Sequence, residues 1–244
     1  MENEHTPKQV KRGFVPTDLR EFGTAENLEK LRKSAEEVYF LVNRGYAVKN
    51  AVTFVGNHYL LSERQRTAVA RSVSCEENIK LRKSRELSDG DVAGKTLYID
   101  GFNTVITLEI AYSDSILFRC MDGTIRDIAG LRGTYRLIDK TDMAVNAIAE
   151  MLTSLKIEKA VFYLDAPVSN SGRLKQKILE IMQGRPFETE VYVENSVDSI
   201  LESKSCVVTA DALILDRCEC WYNLTDAVIR NYIGNYRYID IMNY

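Results

Sequence analysis

Asp100, Asp165 and Asp211 each close an apolar run: Thr96-Leu97-Tyr98-Ile99-Asp100, Ala160-Val161-Phe162-Tyr163-Leu164-Asp165 and Cys206-Val207-Val208-Thr209-Ala210-Asp211. Short β-rich runs bounded by turn residues predict strands buried on both faces. In a parallel α/β sheet the carboxyl ends of such strands open into the ligand crevice. Three carboxylates would then share one sheet edge. Asp198, at the head of a short helical segment, and Asp216, five residues beyond Asp211, add to them. A lone aspartate after a strand commonly caps a turn or helix, as Asp211 would for the segment starting at Ala212. Carboxylates gathered in number repel one another, and a bound cation is the usual remedy, so the grouping predicts a hard divalent ion and phosphate chemistry.

To meet at one edge these residues need parallel strands joined by helices, and the later two-thirds of the chain supplies that rhythm. An amphipathic helix from Asp142 to Leu155 leads into the strand ending at Asp165. Helix 172–183, strand 190–194, a short helix 197–203, strand 206–210 and a final helix around 225–233 follow. The pattern predicts an α/β domain over 95–244 with a mostly parallel central sheet flanked by helices. Between the first strand and Asp142 lie an apolar segment, 104–112, and alternating runs at 116–120 and 124–128 around Met121-Asp122-Gly123, which predict a β-hairpin.

Upstream, helical periodicity marks 24–43 and 47–58, and Ser62 with Gln65 makes a capping-box pattern for a third helix carrying Ala68, Val69 and Val73 inward. Residues 1–75 are therefore expected to form a small all-helical domain. Its second and third helices have helix-turn-helix spacing, with Arg64, Gln65, Thr67 and Arg71 exposed on the third, although plain packing against the sheet domain accounts for the same spacing. Residues 76–94 are charged and poor in large apolar side chains, and are read as a charged linker or a solvated helix, followed by a turn at Ser88-Asp89-Gly90.

Composition narrows the function classes. Residues 1–90 carry 16 basic against 13 acidic side chains, a net +3 that leaves −6 for the remainder of the formal −3. The five cysteines are unevenly spaced, the amino terminus is polar, and no segment approaches the roughly 18 apolar residues of a membrane span, so a cytoplasmic protein with no membrane partner is expected. With His5 and His58 as the only histidines, neither a structural zinc site nor histidine acid-base catalysis is expected. Gly90-Asp91-Val92-Ala93-Gly94-Lys95-Thr96 imitates a phosphate loop, but it is one residue short and precedes its strand instead of following it.

Ile99-Asp100-Gly101-Phe102-Asn103 resembles the opening motif of NYN domains in the PIN-like ribonuclease superfamily, where a strand ends in Asp-Gly-aromatic-Asn. Phe162-Tyr163-Leu164-Asp165-Ala166 is similar to the second acidic strand of that group. Val197-Asp198-Ser199-Ile200-Leu201 looks like its acid-headed helix, and Val207-Val208-Thr209-Ala210-Asp211 like its Thr-x-Asp strand end. The resemblance covers about residues 95–220 in the expected order. It implies a Mg²⁺- or Mn²⁺-dependent nuclease fold, with Asp100, Asp165 and Asp211 as metal ligands and Asp198 and Asp216 completing the acidic pocket. Asn103 would position Asp100 or the phosphate, and Thr209 would hydrogen-bond inside the site. Asp114, Asp122 and Asp127, in the stretch 113–140, match nothing in the motif.

The resemblance implies RNA as the substrate, with DNA as an alternative; arginines beside an acidic metal site would grip the phosphates that carboxylates repel, although a solvated hairpin face accounts for them equally well. Arg126, Arg132 and Arg136, in the hairpin and the loop after it, and Arg173, at the start of the helix beyond Asp165, are the candidates. Two readings follow: a metal-dependent ribonuclease, or a non-catalytic RNA- or DNA-binding module on the same fold. A Mg²⁺-dependent phosphatase of the haloacid dehalogenase type would end its first strand in Asp-x-Asp, and position 102 is Phe.

Overall fold

The computed structural model describes residues 11–130, 133–234, 236 and 238–242. After a single turn, α1 (Asp18–Glu21), three helices pack through their apolar stripes. In α2 (Ala25–Val42) these are Leu28, Leu31, Ala35, Val38 and Val42; α3 (Val48–His58) brings Ala51, Val52 and Val55, and α4 (Glu63–Ser72) brings Ala68 and Val69. The capping box forms as expected: Gln65 N–H donates to Ser62 Oγ at 3.2 Å and Ser62 N–H to Gln65 Oε1 at 3.1 Å. Ser62→Ala is expected to cost about 1 kcal/mol, read as a lower urea midpoint at an unchanged slope.

The helical unit does not close its core alone. Phe118, Cys120 and Ile128 from the hairpin β3 (Phe118–Arg119) and β4 (Ile125–Arg126), together with Ile241, lie in the same buried cluster as Leu31, Val38 and Val69. The insertion between the first sheet strand and the Asp142 helix is thus the part of the α/β domain that docks the helices.

Of the two readings of residues 76–94, the helix followed by a turn is the one that forms, and it is not fully solvated. These residues fold as α5 (Glu76–Arg85), a short strand β1 (Glu86–Leu87) and a 3₁₀ turn at Asp89–Asp91. The buried residue of α5 is Arg82, 2% exposed and ion-paired to Asp122 and Asp216. A helix held by a buried cation has no apolar stripe, which is why hydrophobic periodicity does not reveal it.

Next come β2 (Thr96–Asp100), α6 (Gly101–Tyr112), α7 (Asp139–Ser154), β5 (Lys159–Asp165), α8 (Ser171–Met182) and β6 (Glu188–Glu194). They are followed by α9 (Val197–Leu201), β7 (Val207–Val208), α10 (Ala212–Arg217), β8 (Trp221–Tyr222), α11 (Leu224–Val228) and a π-helical turn, Ile229–Ile233. Among the described residues the main sheet has six strands, all parallel, in the order β1-β8-β7-β2-β5-β6. The expected fold class, a parallel α/β sheet flanked by helices and preceded by a helical region, is what the chain adopts. The apolar segment 104–112 belongs to α6.

Alternation assigns each face. Leu97, Ile99, Ala160, Phe162 and Leu164 pack with α6, α7, α8 and α11. Val161, Tyr163 and Val207 pack with Val197 and Leu201 of α9 and Ile214 and Leu215 of α10. From β2 the chain builds outward through β5 and β6, then returns to add β7 and β8 on the other side. The strand order therefore reverses between β2 and β7, and ligand crevices of open α/β sheets lie at the carboxyl end of such a switch point.

Candidate functional site

Register brings the acids to that point. Ile99 pairs with Val208, and Asp100 pairs with Tyr163, so Asp100, Asp165 and Asp211 stand on the same sheet edge at the ends of three adjacent parallel strands. Asp100 is 7% exposed and caps α6, its Oδ1 accepting from Asn103 N–H at 3.2 Å. Its Oδ2 accepts the Thr209 hydroxyl proton at 2.9 Å. Asn103 returns the link, its Oδ1 accepting from Ala210 N–H at 2.9 Å, and Thr209 Oγ1 accepts from Asp211 N–H at 3.1 Å. Asp211 also caps α10 through Leu213 N–H at 2.8 Å. Asp100, Asn103, Thr209 and Asp211 thus form one hydrogen-bonded unit across the switch point.

Gly101 is required by close packing. A Cβ there would lie 2.5 Å from Leu164 Cδ2 and 3.0 Å from the Tyr163 carbonyl oxygen, so α6 starts directly against β5. Gly101→Ala is expected to cost about 1–3 kcal/mol by overpacking, measurable by urea unfolding, and to displace Asp100 with the helix start.

Burial pushes the Asp100 carboxyl up to about 7; its Thr209 and Asn103 hydrogen bonds oppose the rise, and the charges of Asp165 and Asp211 add to it. Asp165, half-buried, is raised by desolvation and by Asp198; Asp198, at the start of α9, is raised by desolvation and by Asp211 and Glu202. Among the described residues no Lys or Arg forms an ion pair with Asp100, Asp165, Asp198 or Asp211, whereas the buried acids Asp18, Glu109 and Asp122 each have an arginine partner.

Asp216 is not part of this group. Its oxygens accept from Arg82 Nε at 2.7 Å and Asn78 Nδ2 at 3.0 Å, because the helical turn that follows Asp211 carries it toward α5. The expected phosphate-binding role of Arg126 is also overturned. Its buried guanidinium donates to Ala210 O at 2.7 Å, Asp122 Oδ2 at 2.6 Å and the Arg71 carbonyl, which makes it a brace for the strand end before Asp211. Arg132 lies outside the described residues. Arg136 and Arg173 are exposed beside the loop after β5, where Ser169 and Asn170 donate to Tyr135 O at 3.0 and 2.6 Å, and no described residue engages either guanidinium. On α4, Arg64 is spent on both oxygens of Asp18 and Gln65 on its cap, so a recognition helix led by these two residues is not available.

No group of three or more His, Cys, Asp or Glu side chains among the described residues is close enough to cage an ion. The donor chemistry nevertheless fits a hard cation. Mg²⁺ keeps several waters and is ordinarily held through one or two carboxylates, with further acids reached through water.

The chain belongs to the family described as Domain of unknown function (DUF5616), whose model matches residues 89–227. A second model, Protein of unknown function (DUF434), matches residues 30–85. The chain is similar to the uncharacterized protein MJ0935 of Methanocaldococcus jannaschii, 38% identical over 185 residues that cover 76% of this chain and 88% of that one. No solved structure matches it. The boundary between the two family matches falls where α5 hands over to β1, and the whole Asp100–Asp211 unit lies within the first.

Proposed function

We propose that the protein is a divalent-metal-dependent nuclease of the PIN-like kind, hydrolysing RNA phosphodiesters at the carboxyl edge around Asp100. The observation that carries this reading is the buried Asp100 grouped with Asp165, Asp198 and Asp211 at a topological switch point, none of them ion-paired to a described Lys or Arg, in a fold that pairs the buried acids Asp18, Glu109 and Asp122 with arginine. Mg²⁺ or Mn²⁺ held by Asp100 and Asp211, with Asp165 and Asp198 acting through water, would supply an activated water and neutralise charge on the departing oxygen. Thr209 fixes the Asp100 carboxylate by donating to Oδ2. Asn103 spends its Oδ1 on Ala210 and keeps its amide protons for a phosphate oxygen. Arg136 and Arg173 grip flanking phosphates. Five free thiols suit a reducing cytoplasm, and no described helix is long and apolar enough to cross a membrane.

The lack, among the described residues, of three acids close enough to share one ion favours a second reading, a non-catalytic module that binds RNA or DNA. Cleavage of single-stranded and structured RNA, and of DNA, with Mg²⁺ or Mn²⁺ separates the two. The nuclease reading expects turnover that falls at least about a hundredfold in Asp211→Asn. It fails when no substrate is cut, or when that variant cuts as well as wild type.

A further inference from the structure

A cleft of about 190 Å³ lies where the two family segments meet, lined by Arg71 of α4, Asn103 and Thr107 of α6, Arg126, Asp127 and Asp211. We propose that it is a phosphate subsite for single-stranded RNA, in which Arg71 holds a phosphodiester next to the one at Asp211. The proposal rests on the nuclease reading for the orientation of the strand. It adds that the helical unit supplies part of the binding site.

Three observations support it. The volume is below the roughly 300–1,000 Å³ of sites for drug-sized ligands, which suits a phosphodiester with part of its sugar and not a whole nucleotide. The Arg71 side chain is 41% exposed, and it is held at one end only: its Nη1 donates to the Asp127 carbonyl and lies 3.5 Å from Asp127 Oδ1, while Nε and Nη2 engage no described residue. A guanidinium fixed through one nitrogen keeps a two-pronged donor edge that matches phosphate geometry. The cleft is also rigidly connected to the acids. Arg126 ties the Arg71 carbonyl to Ala210 O, and Ala210 N–H is held by Asn103, whose own N–H binds Asp100. Any strand that places a phosphate at Asp211 therefore has an adjacent position within reach of Arg71.

The test measures the affinity of a labelled single-stranded oligoribonucleotide for wild type, Arg71→Gln and Arg71→Lys in EDTA, across a salt series, with cleavage assayed separately in Mg²⁺. Glutamine keeps an amide donor for the Asp127 carbonyl while removing the charge, so folding is preserved and melting curves check it. Arg71→Gln is expected to raise Kd about tenfold or more and to lower the slope of log Kd against log salt by about one. Arg71→Lys is expected to keep the slope but lose part of the affinity. Unchanged Kd and slope in Arg71→Gln overturn the subsite, as does a wild type that does not bind RNA. Cleavage with no effect of Arg71 overturns the subsite and leaves the nuclease reading standing. The expected slope change without cleavage supports the subsite and sinks the nuclease reading. Equal affinity and slope for a matching oligodeoxynucleotide would overturn the assignment to RNA.

Discussion

Asp100→Asn is expected to stabilise the metal-free protein by about 1–3 kcal/mol at pH 8 while removing the divalent-dependent turnover proposed for it. The sign follows from linkage. The folded carboxyl titrates near 7 and the unfolded one near its ordinary value of about 3.9, so the folded state holds the proton more tightly. The resulting stability is fully present below pH 4 and is lost as pH rises through 7. By pH 8 the wild type carries a buried, unpaired charge worth at most about 4 kcal/mol. That figure already includes the hydrogen bonds that Thr209 and Asn103 donate to the two carboxylate oxygens; asparagine, with one acceptor oxygen, keeps only one of them, which offsets part of its gain. Asparagine does not titrate, and it serves equally well as a helix N-cap. Urea unfolding in EDTA should show little difference at pH 5 and a stabilised variant at pH 8. Added Mg²⁺ should then raise the wild type and leave the variant unmoved. A variant less stable than wild type at both pH values would mean that the Asp100 charge is already compensated by protein groups, and would remove the reason for a cation at this edge.

The same acid explains why the sheet was legible from the chain. Strands buried on both faces announce themselves as continuous apolar runs, and the residue that follows each run falls on one edge once the strands are parallel. Asp100, Asp165 and Asp211 needed no further information to be placed together. Thr209 and Asn103 are visible through the motif resemblance, and the bonds each makes to Asp100 follow from the pairing of Ile99 with Val208. Elements held by charge stayed hidden. Helix α5 is anchored by Arg82, β1 and β8 are two residues each, and Asp122, unmatched to any motif, is fully buried between two arginines. Arg126 and Asp216 were misplaced for the same reason: a charged side chain in sequence looks the same whether it faces solvent, substrate or a buried counter-charge. Arg71 was legible only as an exposed helix residue, because its position on the cleft depends on how the hairpin docks the helical unit.

Arg82→Ala is expected to cost about 3–5 kcal/mol, the penalty of breaking a buried ion-pair network from one side. Arg82 is 2% exposed; it donates to Asp122 Oδ2 at 2.6 Å, Asp216 Oδ1 at 2.7 Å and Ser74 Oγ at 2.9 Å. Its carbonyl accepts from Trp221 Nε1 at 2.7 Å, which fixes α5 on β8. Burial alone would push Asp122 up, but Arg126, Thr124 and Arg82 hold its carboxyl below the usual carboxylate range. Stability from Asp122 is therefore present above its unfolded value near 4 and is lost as pH falls through its lower folded value. In Arg82→Ala that acid-side contribution shrinks, so the variant should unfold at lower urea at pH 7 and differ less from wild type in strong acid. Arg82→Met keeps most of the stem volume and separates lost packing from lost charge. The consequence extends to the site, because Asp122 orients Arg126 and Arg126 holds Ala210 O, one residue before Asp211. On the nuclease reading, activity measured well below the melting temperature should fall in both variants, mainly through kcat as Ala210 and Asp211 shift, with any rise in KM reporting the displacement of Arg71, whose carbonyl Arg126 also holds. A variant that loses stability yet cuts RNA at the wild-type rate would show that the Arg82–Asp122–Arg126 chain holds the fold without positioning the acids.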